Sequence, residues 1–150
     1  MSVVEVAELT GLRIINNSVV QVRDLITNQD FPEILGADPD LFNDSSWELS
    51  HELIAFTIHI ADRITLNIFG PKGRSLFMDI LLDSIISNLS SSILQDDSSE
   101  KAIVFKRQFL NLVVERTKYY STLEIHSGDD APMKGTLFWE AGRLCAENIW

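Results

Sequence analysis

The sequence predicts an all-α fold: a single-domain helical bundle of about five helices, with one long acidic loop over residues 29–46. Three observations predict it. Apolar residues recur at spacings of three and four along much of the chain, the period of a helix seated on a core. Start and stop signals divide that pattern at Ser45 with Glu48, at Gly70-Pro71, at Asp97 with Glu100, and at Pro132. The chain has 150 residues, 45% of them hydrophobic, which suits one domain over residues 1–150 whose core needs no disulfide or metal.

The first segment covers residues 3–28. Leu12, Ile15, Val19, Val22 and Ile26 form a heptad-like seam. Gly11 interrupts the pattern and the segment is rich in Val and Ile, so a hairpin over residues 12–22, turning at Asn16-Asn17, is the competing reading. The seam is longer than either strand of that hairpin, and helix is favoured. Residues 29–46 follow, with Pro32, Gly36 and Pro39 among acids. Phe31, Ile34, Leu35, Leu41 and Phe42 suggest that this loop docks on the body of the domain.

The second helix is expected over residues 47–69, opened by a Ser45–Glu48 capping box and closed by Gly70-Pro71. Glu48, His51, Glu52, His59, Asp62 and Arg63 share one stripe, and nearly all other positions are apolar. So apolar a helix is largely buried. The His51–Arg63 stripe therefore looks through a slot to solvent or points into a polar interior. The third helix, residues 72–94, carries Ser75, Asp79, Asp83 and Ser87 on one ridge. The tight turn makes the two helices antiparallel, with Asp62 level with Asp79 and His59 level with Asp83.

If the stripes face each other, His59, Asp62, Asp79 and Asp83 form a candidate divalent-metal site, since imidazole and carboxylate suit such ions. Glu48 and His51 also make one Glu-x-x-His, the spacing of di-iron bundles, but a second copy is missing because Glu124 and His126 are wrongly spaced. The simpler arrangement is preferred: Arg63 pairs with Asp79, His59 hydrogen-bonds a carboxylate, and the rest are solvated.

The fourth helix extends to about residue 123 and holds five of the twelve basic residues between Lys101 and Lys118. Tyr119 and Tyr120 are expected to cover the core edge. The fifth starts at Pro132, whose missing amide is not needed in a first turn, and runs to Trp150. Gly135, Gly142 and Ala146 share one of its faces. That face packs inside the domain, or it forms a homodimer contact through Trp139, Gly142, Ala146 and Trp150.

Charge narrows the partners. The net charge of −10 argues against nucleic acid and against anionic membrane surfaces, both of which are bound through clustered Lys and Arg. Nine acids and no basic residue lie between Arg23 and Arg63; they are expected to face the basic segment or water. The single Cys145 excludes an internal disulfide, and no basic-then-apolar leader is visible, so a cytoplasmic protein is expected. Residues 49–69, the best candidate for a span, contain His51, Glu52, His59, Asp62 and Arg63, so no membrane is expected. Catalytic motifs are not found: no nucleophile elbow, phosphate loop or zinc spacing, and acids near Cys145 keep its thiol protonated.

The expectation is a non-enzymatic interaction protein, acidic and self-associating as a homodimer. The alternative is a metal- or small-ligand-binding bundle using the His/Asp cluster, with a divalent metal as its cofactor. A third reading is a carrier of apolar ligands, with a cavity among Phe56, Phe69, Phe77 and Phe109.

Overall fold

A computed structural model describes residues 2–27, 46–94, 100–125 and 134–147. All regular structure among them is helical: α1 (Val3–Thr27), α2 (Ser46–Leu94), α3 (Glu100–Tyr120) and α4 (Leu137–Glu147). The expected five helices are thus four elements among the described residues. The second and third expected helices join into α2, with a single non-helical residue, Gly70 (φ 66, ψ −177), between them. The expected acidic loop lies outside the described residues, apart from Ser46.

Gly70 sets the shape of α2. Its positive φ is strained for a residue with a side chain, and Pro71 lacks the amide that would continue the ladder. The chain folds back there into two arms, residues 46–69 and 71–94. Arg74 reaches Asp62 through two hydrogen bonds, Nε to Oδ1 at 2.6 Å and Nη2 to Oδ2 at 2.7 Å. Twelve residues of straight helix would hold them ~18 Å apart. Phe69 and Phe77 stack across the same bend, 6.1 Å between centroids. By length and composition alone, residues 48–91 are apolar enough to cross a membrane. In the fold they form this hairpin, which packs on itself and on the other three helices.

α1 begins with a capping box the sequence reading passed over: the Glu5 amide donates to Ser2 Oγ, and the Ser2 amide donates to Glu5 Oε2. It is one continuous helix, which removes the hairpin alternative for residues 12–22. Its buried side, however, is not the expected seam. Ala7, Gly11, Ile14, Ser18 and Val22 are buried, while Leu12 and Val19 are more than 40% exposed. Val22 is shared by both sets, Ile15 is half-buried, and Ile26 lies outside the described side chains. The reason is close approach. A Cβ on Gly11 would lie 3.0 Å from Ser84 Oγ and 3.3 Å from Ile85 Cγ1, so the face that meets the hairpin is the one that carries Gly11, with Ala7, Ser18 and Ile14 beside it.

The main core joins both arms through Ile54, Ile58, Leu81 and Ile85, with Ile14 of α1 and Phe109 and Val113 of α3. A second cluster of Tyr120, Leu137, Ala141 and Leu144 seats α4, with Phe56 and Ile60 packed against it. α4 starts five residues later than expected, because Lys134 and Gly135 form a turn in which Gly135 has φ 85. Pro132 and Trp150 lie outside the described residues.

Candidate functional site

The polar stripe of the first α2 arm faces α3. His51 packs between Phe105 and Phe109, at 5.6 and 5.5 Å between ring centroids. Burial holds its pKa below the ordinary imidazole value, against the opposing pull of Glu48. One turn on, Glu52 is 2% exposed. Its Oε1 accepts from Arg116 Nε at 2.5 Å and from the Tyr120 hydroxyl at 3.0 Å. This carboxylate raises the Arg116 pKa through that hydrogen bond, and burial followed by the Glu52 charge drives the Tyr120 phenol far up. Arg63 Nη2 donates to the carbonyls of Tyr120 and Leu123, at 3.1 and 3.3 Å. A cation there satisfies the acceptors left open at the end of α3.

The expected pairs therefore change partners. Arg63 serves the α3 terminus, and Asp62 is held by Arg74 in place of the expected Arg63–Asp79 pair. His59 was expected to hydrogen-bond a carboxylate. It is 1% exposed, lies against the Tyr120 ring at 5.5 Å, and neither ring nitrogen has a hydrogen-bond partner among the described residues. Burial, then the Arg63 charge, lowers its pKa, with Asp62 opposing.

The four residues of the candidate metal site are distributed over different surfaces. His59 and Asp62 line one cleft, Asp83 lines a groove beside α1 with Glu8 and Leu12, and Asp79 is exposed and lines neither. Among the described residues no three His, Cys, Asp or Glu side chains gather around one point. The phenylalanines of the expected apolar cavity also separate. Phe77 and Phe109 are in the main core, Phe56 packs on Tyr120 and Phe138, and Phe69 is 45% exposed.

On α4 the small-residue face points outward. A Cβ on Gly142 would meet nothing within 4 Å, and Phe138 is 46% exposed. Trp139 is half-buried with Lys134 Nζ 5.9 Å from its ring centroid, and Ala146 is half-buried. Gly135 precedes the helix and is not on that face. The buried side carries Glu140, which accepts from the Tyr119 hydroxyl and from Arg143, both at 2.8 Å. Those two hydrogen bonds, Arg143 first, hold its pKa below the usual carboxylate range. Burial and then Glu52 push the Cys145 thiol up to about 12, which makes it a packing residue.

Among the described residues, a cleft of about 650 Å³ lies between the two α2 arms and α3. Ile58, Leu66, Met78, Leu82, Val113 and Val114 supply apolar walls; Thr117 and Ser121 add hydroxyls. Arg63, Arg74 and Lys118 bring three positive charges to its edge against the one negative charge of Asp62. Arg63 and Asp62 are legible in the sequence as part of one polar stripe, and Arg74 as a cation able to offset Asp79 and Asp83; that Arg74 holds Asp62, and that Arg116 and Tyr120 hold Glu52, is not. Their contacts span 12 to 68 residues, and no local spacing signals them. No family model matches the chain, and no curated protein or solved structure matches it either.

Proposed function

We propose that this chain is a non-enzymatic interaction domain that self-associates through the outward face of α1. The observation that carries this is the second apolar side of that helix. Leu9, Leu12, Val19 and Val20 are 40–44% exposed, with Leu12 at the edge of this side, where it also lines the groove beside the second arm. A helix apolar on two sides normally buries both.

A second copy of the chain is the occupant this face fits. Glu5, Leu9, Leu12, Asn16, Val19 and Arg23 follow one another at spacings of four, three, four, three and four. That series reads the same in both directions. In a two-fold antiparallel pair, Glu5 meets Arg23 of the other copy, Leu9 meets Val19, and Leu12 meets Asn16, each contact occurring twice. The charges at the two ends are complementary, and Leu9 against Val19 gives an apolar contact on either side of the central Leu12–Asn16 pairs.

Sedimentation of the full chain tests this. A concentration-dependent dimer is expected, which Leu12→Asp with Val19→Asp abolishes while the melting temperature holds. Arg23→Glu weakens the dimer, and adding Glu5→Arg restores it. A strict monomer at high concentration, or a dimer indifferent to these changes, removes the α1 contact. The outward Gly142 supports a second reading, in which α4 is the contact through Trp139, Gly142 and Ala146. In that case Gly142→Leu, and not the α1 changes, dissociates the dimer.

A further inference from the structure

We infer that the cleft between the α2 hairpin and α3 binds a small apolar monocarboxylate, with His59 and the Arg63–Arg74–Lys118 edge receiving its carboxylate. This inference is independent of self-association. It starts from His59. An imidazole always carries at least one N–H, and here both ring nitrogens are buried with no partner among the described residues. Buried polar groups in folded proteins are paired with very few exceptions. His59 lies on the wall of a cleft about 650 Å³ in volume, within the ~300–1,000 Å³ of small-molecule sites. Both nitrogens are closed off from the cleft as the ring stands, so the His59 ring turns toward a ligand acceptor seated there to gain the missing partner.

The charge selects an anion. The chain carries −10 overall, yet Arg63, Arg74 and Lys118 against Asp62 leave this edge at +2. A metal cation is repelled there. A phosphate dianion is disfavoured by the Asp62 carboxylate and by walls such as Leu66, Met78, Leu82 and Val113, which offer it no donors. A neutral apolar molecule desolvates the cations and returns nothing. One negative charge on an apolar body satisfies both the walls and the edge. Burial keeps His59 neutral near pH 7, so it presents a hydrogen-bond donor and does not depend on protonation.

Titration calorimetry of the full chain with decanoate, decanol and decyltrimethylammonium, each below its micelle concentration, compares three heads on one tail. One decanoate is expected per chain, with the other two bound about tenfold or more weakly, a difference of ~1.4 kcal/mol. In chain labelled with ¹⁵N-histidine, decanoate moves the His59 ring signals and leaves those of His51 in place. Val114→Trp, at a rim position 64% exposed, fills the mouth and abolishes binding, and Lys118→Glu weakens it about tenfold. Because both positions are exposed, folding is retained and is checked by melting. The inference is overturned if decanoate shows no saturable binding. It is also overturned if all three heads bind equally, or if binding is unchanged in both variants.

Discussion

Where α1 meets the hairpin, the contact is made by Ala7, Gly11, Ile14 and Ser18, with Gly11 close against Ser84 and Ile85. Where α3 meets it, the contact runs through Glu52 with Arg116 and Tyr120, Arg63 on the α3 terminus, and two histidines against aromatic rings. The first interface gains dispersion energy from backbones brought close. The second removes charges from water and recovers that cost through mutual hydrogen bonds. Small residues close a gap, whereas long polar side chains need room. The 650 Å³ cleft lies on the α3 side.

The contrast is broken most sharply on the ionic side. Glu52→Ala leaves the Arg116 guanidinium and the Tyr120 hydroxyl without their acceptor and is expected to cost about 3 kcal/mol. The figure sits at the low end for a buried pair, because the Arg116 side chain remains 25% exposed. Urea unfolding measures it. Replacing the set together, as Glu52→Met, Arg116→Met and Tyr120→Phe, is expected to recover most of that loss, since an apolar cluster leaves no orphaned group. If the triple variant is no better than Glu52→Ala, the polar contacts are contributing packing and not charge.

On the close-packed side, Gly11→Leu is expected to cost about 2 kcal/mol by overpacking against Ser84 and Ile85. The same measurement checks it. An unchanged midpoint would show that α1 can move away from the hairpin at no cost.

A smaller effect separates the two sides by pH. His51 and His59 both lie against α3, and both are held below the ordinary value of 6.5. Below about pH 6.5 the unfolded chain therefore binds more protons than the folded one. Stability is complete above that pH and declines as pH falls through 6.5 toward the depressed folded values, by no more than ~1.4 kcal/mol per pH unit for each histidine. Melting temperatures between pH 7.5 and 5.5 follow the decline. His59→Leu should flatten the curve, and Gly11→Leu should shift it without changing its slope.

Much of the helical layout was legible. The Gly70-Pro71 pair marks the fold-back correctly, because positive φ and a missing amide are properties of those residue types wherever they stand. The α1 face was misread by choosing the largest apolar residues. Gly142 and Ala146 are small residues four apart; the same spacing also picks out Ala7 and Gly11, and there it marks the buried contact. On α4 it marks an outward surface. A spacing identifies a helix face; it does not say whether that face turns inward. The candidate site was legible in part. His59, Asp62 and Arg63 were recognised as one polar stripe, but their partners come from Arg74 and from α3.

The sequence by itself determined the helical period, the break at Gly70, the single polar stripe of the first α2 arm and the overall negative charge. Those depend on one residue or one turn of helix at a time. The tertiary structure alone decided that the stripe faces α3 through His51, Glu52, His59 and Arg63 while Asp62 is held by Arg74 of the second arm, and that α1 turns Ala7, Gly11 and Ser18 inward and Leu9 and Leu12 out. It also gathered three cations beside His59 in a chain of net charge −10. Such outcomes depend on which helix packs against which, a balance of contacts across tens of residues that no local pattern records.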